Sequence, residues 1–199
     1  MTLWRGDALV LASKSQVRRQ LLEAAGIPVE VDPAEIDERA IEAASDHVTP
    51  DAVARHLACE KALAVSRRRR GLVLGADQTL ALGQRRFSKP ASVTAAREQL
   101  RILAGKAHAL HSAVALARGG KVEFETVSSA RLQMRPLSED LLDAYLDAAG
   151  ARVTASVGAY QLEGLGVHLI EKVEGDHFTV LGLPLLPLLA HLRAAGLLP

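Results

Sequence analysis

A single cysteine, Cys59, stands among the 199 residues, so no internal disulfide can form and the chain suits a reducing compartment. Aromatic residues make up only 3%, which leaves little for nucleobases or single strands to stack on. Charge of one sign is missing as well. The 24 Lys and Arg are balanced by 23 Asp and Glu, a net +1, and no global field draws the chain to nucleic acid or a membrane surface. No apolar run is long enough for a bilayer, and Met1-Thr2-Leu3-Trp4-Arg5-Gly6-Asp7 carries charge where a signal peptide has its apolar region. The expectation is a cytoplasmic protein with neither nucleic-acid nor membrane partners. What is plentiful is core-forming material, 49% hydrophobic against 24% charged, enough for one domain over residues 1–199.

Along the chain, Ala8 to Ala12 reads as a buried strand, and Ser15 as the N-cap of a helix that stops at Gly26. Pro28 to Val31 reads as a second strand. An acidic, weakly periodic stretch with Asp37 and Glu38 follows and receives no element. Thr49-Pro50-Asp51 starts a helix, proline at its first position, running to about Arg69 with Val53, Leu57 and Ala64 on its inner face. The strand Leu72 to Thr79 leads to a turn-rich loop over Gly83 to Pro90, and Ser92 caps a helix to Gly105. His108 to Ala117 and Lys121 to Met134 form a hairpin across Gly119-Gly120, with Val122, Phe124, Leu132 and Met134 alternating against Glu123, Glu125, Arg131 and Gln133. Ser138 caps a helix to Gly150, a strand covers Val167 to Ile170, and a last helix follows Gly182-Leu183-Pro184, with Pro187 tolerated in its first turn. An antiparallel pair thus joins the βα units.

Two stretches point to chemistry. In Leu72-Val73-Leu74-Gly75-Ala76-Asp77-Gln78-Thr79 an apolar strand delivers a carboxylate, Asp77, just after a glycine that lets a ligand approach the backbone. The same pattern also serves merely to begin a turn. In Ala12-Ser13-Lys14-Ser15-Gln16-Val17-Arg18-Arg19 a strand gives way to a helix, gathering free amides, two hydroxyls and three cations, an anion site in outline. Solvated helix charges and a simple cap explain it too, and without glycines it is no Walker A loop. Glu60 and Lys61 have the look of helix-surface charges, Lys89 of a loop charge. The run Arg67 to Arg70 suits a helix C-terminus or a touch of RNA. The seven histidines lack metal-site spacing, and Cys59 reads as small apolar packing.

From Ser13 onward the chain resembles the Maf-like nucleoside triphosphate pyrophosphatases, whose opening motif is Leu-Ala-Ser-x-Ser followed by paired arginines. Ile36-Asp37-Glu38, Glu60-Lys61-Ala62, Gly75-Ala76-Asp77, Lys89-Pro90, Leu103-Ala104-Gly105-Lys106, Gly158-Ala159-Tyr160, Glu163-Gly164 and Val180 to Leu185 match its landmarks in order. The resemblance implies an α/β fold with a mixed twisted sheet, flanking helices and two lobes around a deep cleft, similar to the inosine triphosphate pyrophosphatases. It implies hydrolysis of a nucleoside triphosphate to monophosphate and pyrophosphate with a divalent cation, Mg or Mn, and a homodimer. Carried over, Asp77 is the general base and, with Glu38, a metal ligand, while Ser13, Arg18 or Arg19, Lys61 and Lys89 bind the triphosphate. Cations that hold phosphate oxygens and carboxylates that place metal and water are what such a reaction requires.

The chain departs from that pattern in several places. Gln16 and Val17 stand where the family has Pro and then the arginines at once, and Ala155-Ser156-Val157 replaces an Asp-Lys-Ala run. Gln78 replaces a Thr, and Glu163 a Gln, of the branch acting on dTTP and UTP. These differences resemble the 7-methyl-GTP pyrophosphatase branch and add Gln78 and Glu163 to the substrate-binding candidates. The alternatives are a dTTP/UTP pyrophosphatase of the same family and a nucleotide-binding regulator of septum formation without turnover. Asp77, Glu38 and two lysines are more than a passive binder needs.

Overall fold

The computed structural model describes residues 3–45 and 49–199. Met1 and Thr2 of the opening stretch, and His47 among the histidines, lie outside the described residues. Among the described residues, seven strands form one mixed sheet in the order β2-β1-β3-β5-β6-β7, with β4 paired to β3. They are β1 (Leu9–Leu11), β2 (Val29–Val31), β3 (Val73–Leu82), β4 (Arg85–Phe87), β5 (Ala107–Arg118), β6 (Lys121–Met134) and β7 (Ile170–Glu174). The helices are α1 (Gln16–Ala24), α2 (Glu38–Ala44), α3 (Pro50–Ser66), α4 (Val93–Leu103), α5 (Glu139–Ala149), α6 (His177–Val180) and α7 (Leu185–Ala194). β1 runs parallel to β2 and β3, whereas β3–β4 and β6–β7 are antiparallel. Gly119 and Gly120 join β5 to β6 at φ of 55° and 79°, the left-handed values that a two-residue hairpin turn requires and that glycine takes without strain.

The chain divides into two compact units. The first holds the described residues to Gln78 with His111–Ser128 and Asp176–Pro199; the second holds Thr79–Leu110 and Ser129–Gly175. In the first, strand alternation sorts the core into two faces. Leu9, Leu11, Leu74, Ala76, Val114 and Leu116 pack with Leu185, Leu188 and Leu192 of α7. On the other face Ala113, Ala115 and Ala117 meet Ala54, Ala58 and Ala62 of α3, and Val10, Ala12, Val65 and Val73 cluster together. In the second unit, Arg97 and Arg101 of α4 pair with Glu139 of α5, and Arg97 also with Asp143. Beside them Tyr160 meets His108 Nε2 at 2.7 Å, and the Tyr145 hydroxyl donates to Ala159 O at 2.9 Å.

Most predicted elements are present, with Ser15, Ser92 and Ser138 each accepting a first-turn amide as caps. The differences have local causes. The acidic stretch left without an element holds α2, whose N-cap Asp37 accepts from Ala40 N at 3.1 Å. The Gly83–Pro90 loop contains β4, because Leu80 to Leu82 extend far enough to pair with it. The strand expected over Val167 to Ile170 is a 3-10 turn through Leu165–Leu169, with β7 beginning at Ile170. Ala64 is only half-buried, since the inner face of α3 is set by Ala54, Ala58 and Ala62. The arginine run binds β2 and its exit: Arg68 pairs with Asp32 at 2.5 Å and Arg69 with Glu30. Among the described residues no helix is long and apolar enough to cross a membrane.

His108 supplies a test of the second unit. Burial lowers its pKa to about 4, opposed by the Lys106 backbone, so it stays neutral in the fold where an unfolded histidine, near 6.5, takes a proton. The unfolded chain therefore binds more protons between the two values, and stability is lost as pH falls from about 6.5 toward 4, by about 3 kcal/mol in full. His108→Gln, which keeps a polar partner for Tyr160 but cannot titrate there, is expected to flatten that part of the profile. Chemical unfolding across this range checks it, and identical slopes for the two proteins would contradict the assignment.

Candidate active site

The site of the first unit begins where β1 stops. Two rungs join β1 to β3, Val10 N to Leu72 O and Ala12 N to Leu74 O. The next rung of a parallel ladder would pair residue 14 with Ala76 O, but the chain has already turned toward α1. The carbonyl is satisfied instead by the side chain of Arg18, Nη1 to Ala76 O at 2.8 Å, as a buried carbonyl requires. The same guanidinium donates to Ser13 Oγ at 3.2 Å and, through Nε, to Gly182 O at 2.8 Å. Burial lowers the Arg18 pKa, and the charges of Asp77 and Glu38 oppose that shift, so the guanidinium remains a cation. Ser13 Oγ also accepts from Ser15 N at 3.3 Å. With both lone pairs taken, its O–H is left to donate.

On the opposite face of β3, a methyl added at Gly75 would lie 2.1 Å from Ala58 O and 2.6 Å from Ala62 N. Only glycine lets α3 sit so close. One turn along α3 from Ala58, Lys61 then meets Asp77, two residues along β3 from Gly75 and on the same face. Lys61 Nζ lies 2.6 Å from Asp77 Oδ1 and 2.8 Å from Glu38 Oε1. Lys61 and Asp77 are 8% and 7% exposed, whereas the Glu38 side chain is 51% exposed at the start of α2. A helix-surface charge in the sequence is thus the cation shared by two carboxylates.

The structure brings together Ser13, Arg18, Glu38, Lys61 and Asp77. Arg19 turns to its own helix, with Nε 2.7 Å from Glu23 Oε1. Gln78 points to the other face of β3 from Asp77, and its amide nitrogen donates to Ser112 Oγ at 2.9 Å, Val180 O at 3.0 Å and Thr179 O at 3.2 Å. Lys89 and Glu163 are exposed residues of the second unit. Sequence reasoning missed the part of Ser112 and of the α6 turn, whose carbonyls hold Gln78 and Arg18. The only signal was the Val180 to Leu185 landmark, which carries no reactive side chain.

Removing the shared cation should cost more than removing its exposed partner. Lys61→Met leaves Asp77 buried without an ion-pair partner, a loss of about 3 kcal/mol, while Glu38→Gln at a half-exposed position is expected to cost less than about 1 kcal/mol. Equilibrium unfolding of both variants reads the difference, and equal losses would contradict the ranking.

The family model described as Maf-like protein matches residues 8–195. A protein of Bradyrhizobium diazoefficiens named nucleoside triphosphate pyrophosphatase is 59% identical over 200 residues, covering 100% of this chain and 99% of the relative. One of the same name from Nitrobacter winogradskyi is 56% identical over the same shares. A protein of Rhizobium etli named 7-methyl-GTP pyrophosphatase is 53% identical over 94% of this chain and 96% of its own. Among solved structures, a HAM1 protein from Coxiella burnetii overlaps 64% of this chain and 72% of its own, at 15% identity and a TM-score of 0.41. Coverage nearly end to end by the family model, with relatives more than half identical over the whole length, makes this chain a member of the Maf-like family.

Proposed function

We propose that this protein hydrolyses a 7-methylated guanosine triphosphate to its monophosphate and pyrophosphate, with Asp77 as the general base. The coarser activity is that of its full-length relatives: it is a nucleoside triphosphate pyrophosphatase, a hydrolase. The observation that carries the mechanism is the Lys61 ammonium held between Asp77 and Glu38. A buried carboxylate on a rigid strand, with its charge balanced by a lysine, is suited to take a proton from an attacking water. Arg18 Nη2, with the outward-donating Ser13 hydroxyl, suits the oxygens of a triphosphate, and charge there is favoured most as it builds at the α-phosphorus. Lys61 adds its charge on the other face. Lys89 and Arg19 are assigned to the triphosphate by family resemblance.

Glu38 and Asp77 are the residues that would hold a divalent cation. Among the described residues no three His, Cys, Asp or Glu side chains converge as a ligand group. Each of these two carboxylates gives one oxygen to Lys61 Nζ and keeps the other, a donor set that fits an ion of the Mg²⁺ type, which completes its shell with water and phosphate oxygens rather than a full protein cage. When bound, such a cation supplies positive charge against the triphosphate.

For the base, the support is Gln78, Glu163 and the name of the Rhizobium etli relative. The Watson–Crick edge of guanine offers several N–H donors, which carboxylate and amide oxygens accept, and methylation of its imidazole side adds positive charge that an acid favours. Thymine and uracil offer one donor, leaving an acceptor unpaired at a cost of about 1–3 kcal/mol. Specificity constants for 7-methyl-GTP, GTP, UTP and dTTP, measured side by side, are expected to favour 7-methyl-GTP over dTTP, with the gap narrowed in Glu163→Gln. A clear preference for dTTP would overturn the base assignment, and absence of pyrophosphate release from every nucleotide would overturn the reaction.

A further inference from the structure

Ser112 belongs to no motif, yet its hydroxyl is fully buried and fully engaged. It donates to Thr179 O at 2.7 Å and accepts from the Gln78 amide at 2.9 Å. Thr179 is itself fixed, because Asp176 Oδ2 accepts from both its N at 2.8 Å and its Oγ1 at 2.9 Å. The short α6 is thereby capped at its start by Asp176, and its end carbonyls are closed by Gln78 and Ser112. These partners also settle which way the Gln78 amide points. Two of them are backbone carbonyls, at Thr179 and Val180, which only accept, so the nitrogen must face them and the oxygen must face away. Among the described residues nothing donates to Gln78 Oε1, and it is not a sealed, unsatisfied atom of the core.

We propose that Ser112 is a positioning residue for base selection: by bridging the Thr179 carbonyl and the Gln78 amide, it holds Gln78 so that an acceptor, Oε1, is all the side chain offers a ligand. An acceptor held in place favours a base edge rich in N–H donors and gains nothing from one that presents carbonyls. Ser112 touches neither substrate nor metal in this scheme. Its effect is carried by the orientation of Gln78, and the inference rests on the guanine-type substrate proposed above.

The test is a double-mutant cycle read on selectivity, the ratio of kcat/KM for 7-methyl-GTP to that for dTTP, with melting temperature recorded beside it. Ser112→Ala is expected to lower the ratio about five- to tenfold, the size of one lost hydrogen bond, through KM for 7-methyl-GTP with kcat little changed. Ser112→Thr, which keeps the hydroxyl, should retain the ratio. In a Gln78→Leu background, Ser112→Ala should leave the ratio where Gln78→Leu alone puts it. An unchanged ratio with a lower melting temperature in Ser112→Ala would make the residue purely structural and overturn the proposal, as would a further fall of the ratio in the Gln78→Leu background. Should Ser112→Ala not fold, Ser112→Cys, which fills the site but is a weak acceptor, replaces it: a lower ratio supports the latch, and an unchanged ratio overturns it. A wild-type preference for dTTP is a separate result that removes the guanine reading beneath it.

Discussion

The hydrogen bond from Arg18 to the Ala76 carbonyl is the interaction around which the site is arranged. β1 stops two rungs into its pairing with β3, and the unpaired carbonyl that follows lies one residue before Asp77. A strand end of this kind opens room beside the sheet, and the backbone polar group it exposes has to be satisfied. A guanidinium does so without closing the gap. Because the same group also binds Ser13 and Gly182, one side chain fixes the β1–α1 turn, the middle of β3 and the turn after α6. The charge that keeps this backbone in order is also a charge that a triphosphate can use.

The second constraint is the glycine at position 75. The close approach of α3 to β3 leaves no space for a Cβ there, and Lys61 reaches Asp77 because of it. Period-two alternation then divides the work of consecutive residues. Asp77 faces α3 with its lysine, whereas Gln78 faces α6 and Ser112. In the proposed mechanism, two neighbours in sequence thus serve acid–base chemistry and base selection from opposite sides of one strand.

Much of this was legible beforehand, and the remainder was not for definite reasons. Strands β1 and β3 carry apolar runs, and the helices α1, α4 and α5 carry periodicity, side-chain caps and glycine stops, all local signals. Asp77 could be singled out because strand, glycine and acid are contiguous. Lys61 could not be told from any helix-surface lysine, since its burial depends on Gly75 admitting α3 so closely. Arg18 and Arg19 are alike in sequence, and only the course of α1 sends one to Ala76 and the other to Glu23. Ser112 carried no signal at all, because its partners are main-chain atoms 67 residues away and an amide on another strand. The short α2 and α6 lack the length for a periodic pattern, and the 3-10 turn before β7 has the apolar composition of a strand.

The most direct measurement of the central claim, that Asp77 activates the attacking water, compares single-turnover hydrolysis with nucleotide affinity in Asp77→Asn. The substitution keeps size and removes the proton acceptor. A fall in the chemical rate on the order of a hundredfold or more, with nucleotide binding retained, is expected. Near-normal hydrolysis by the variant would contradict it.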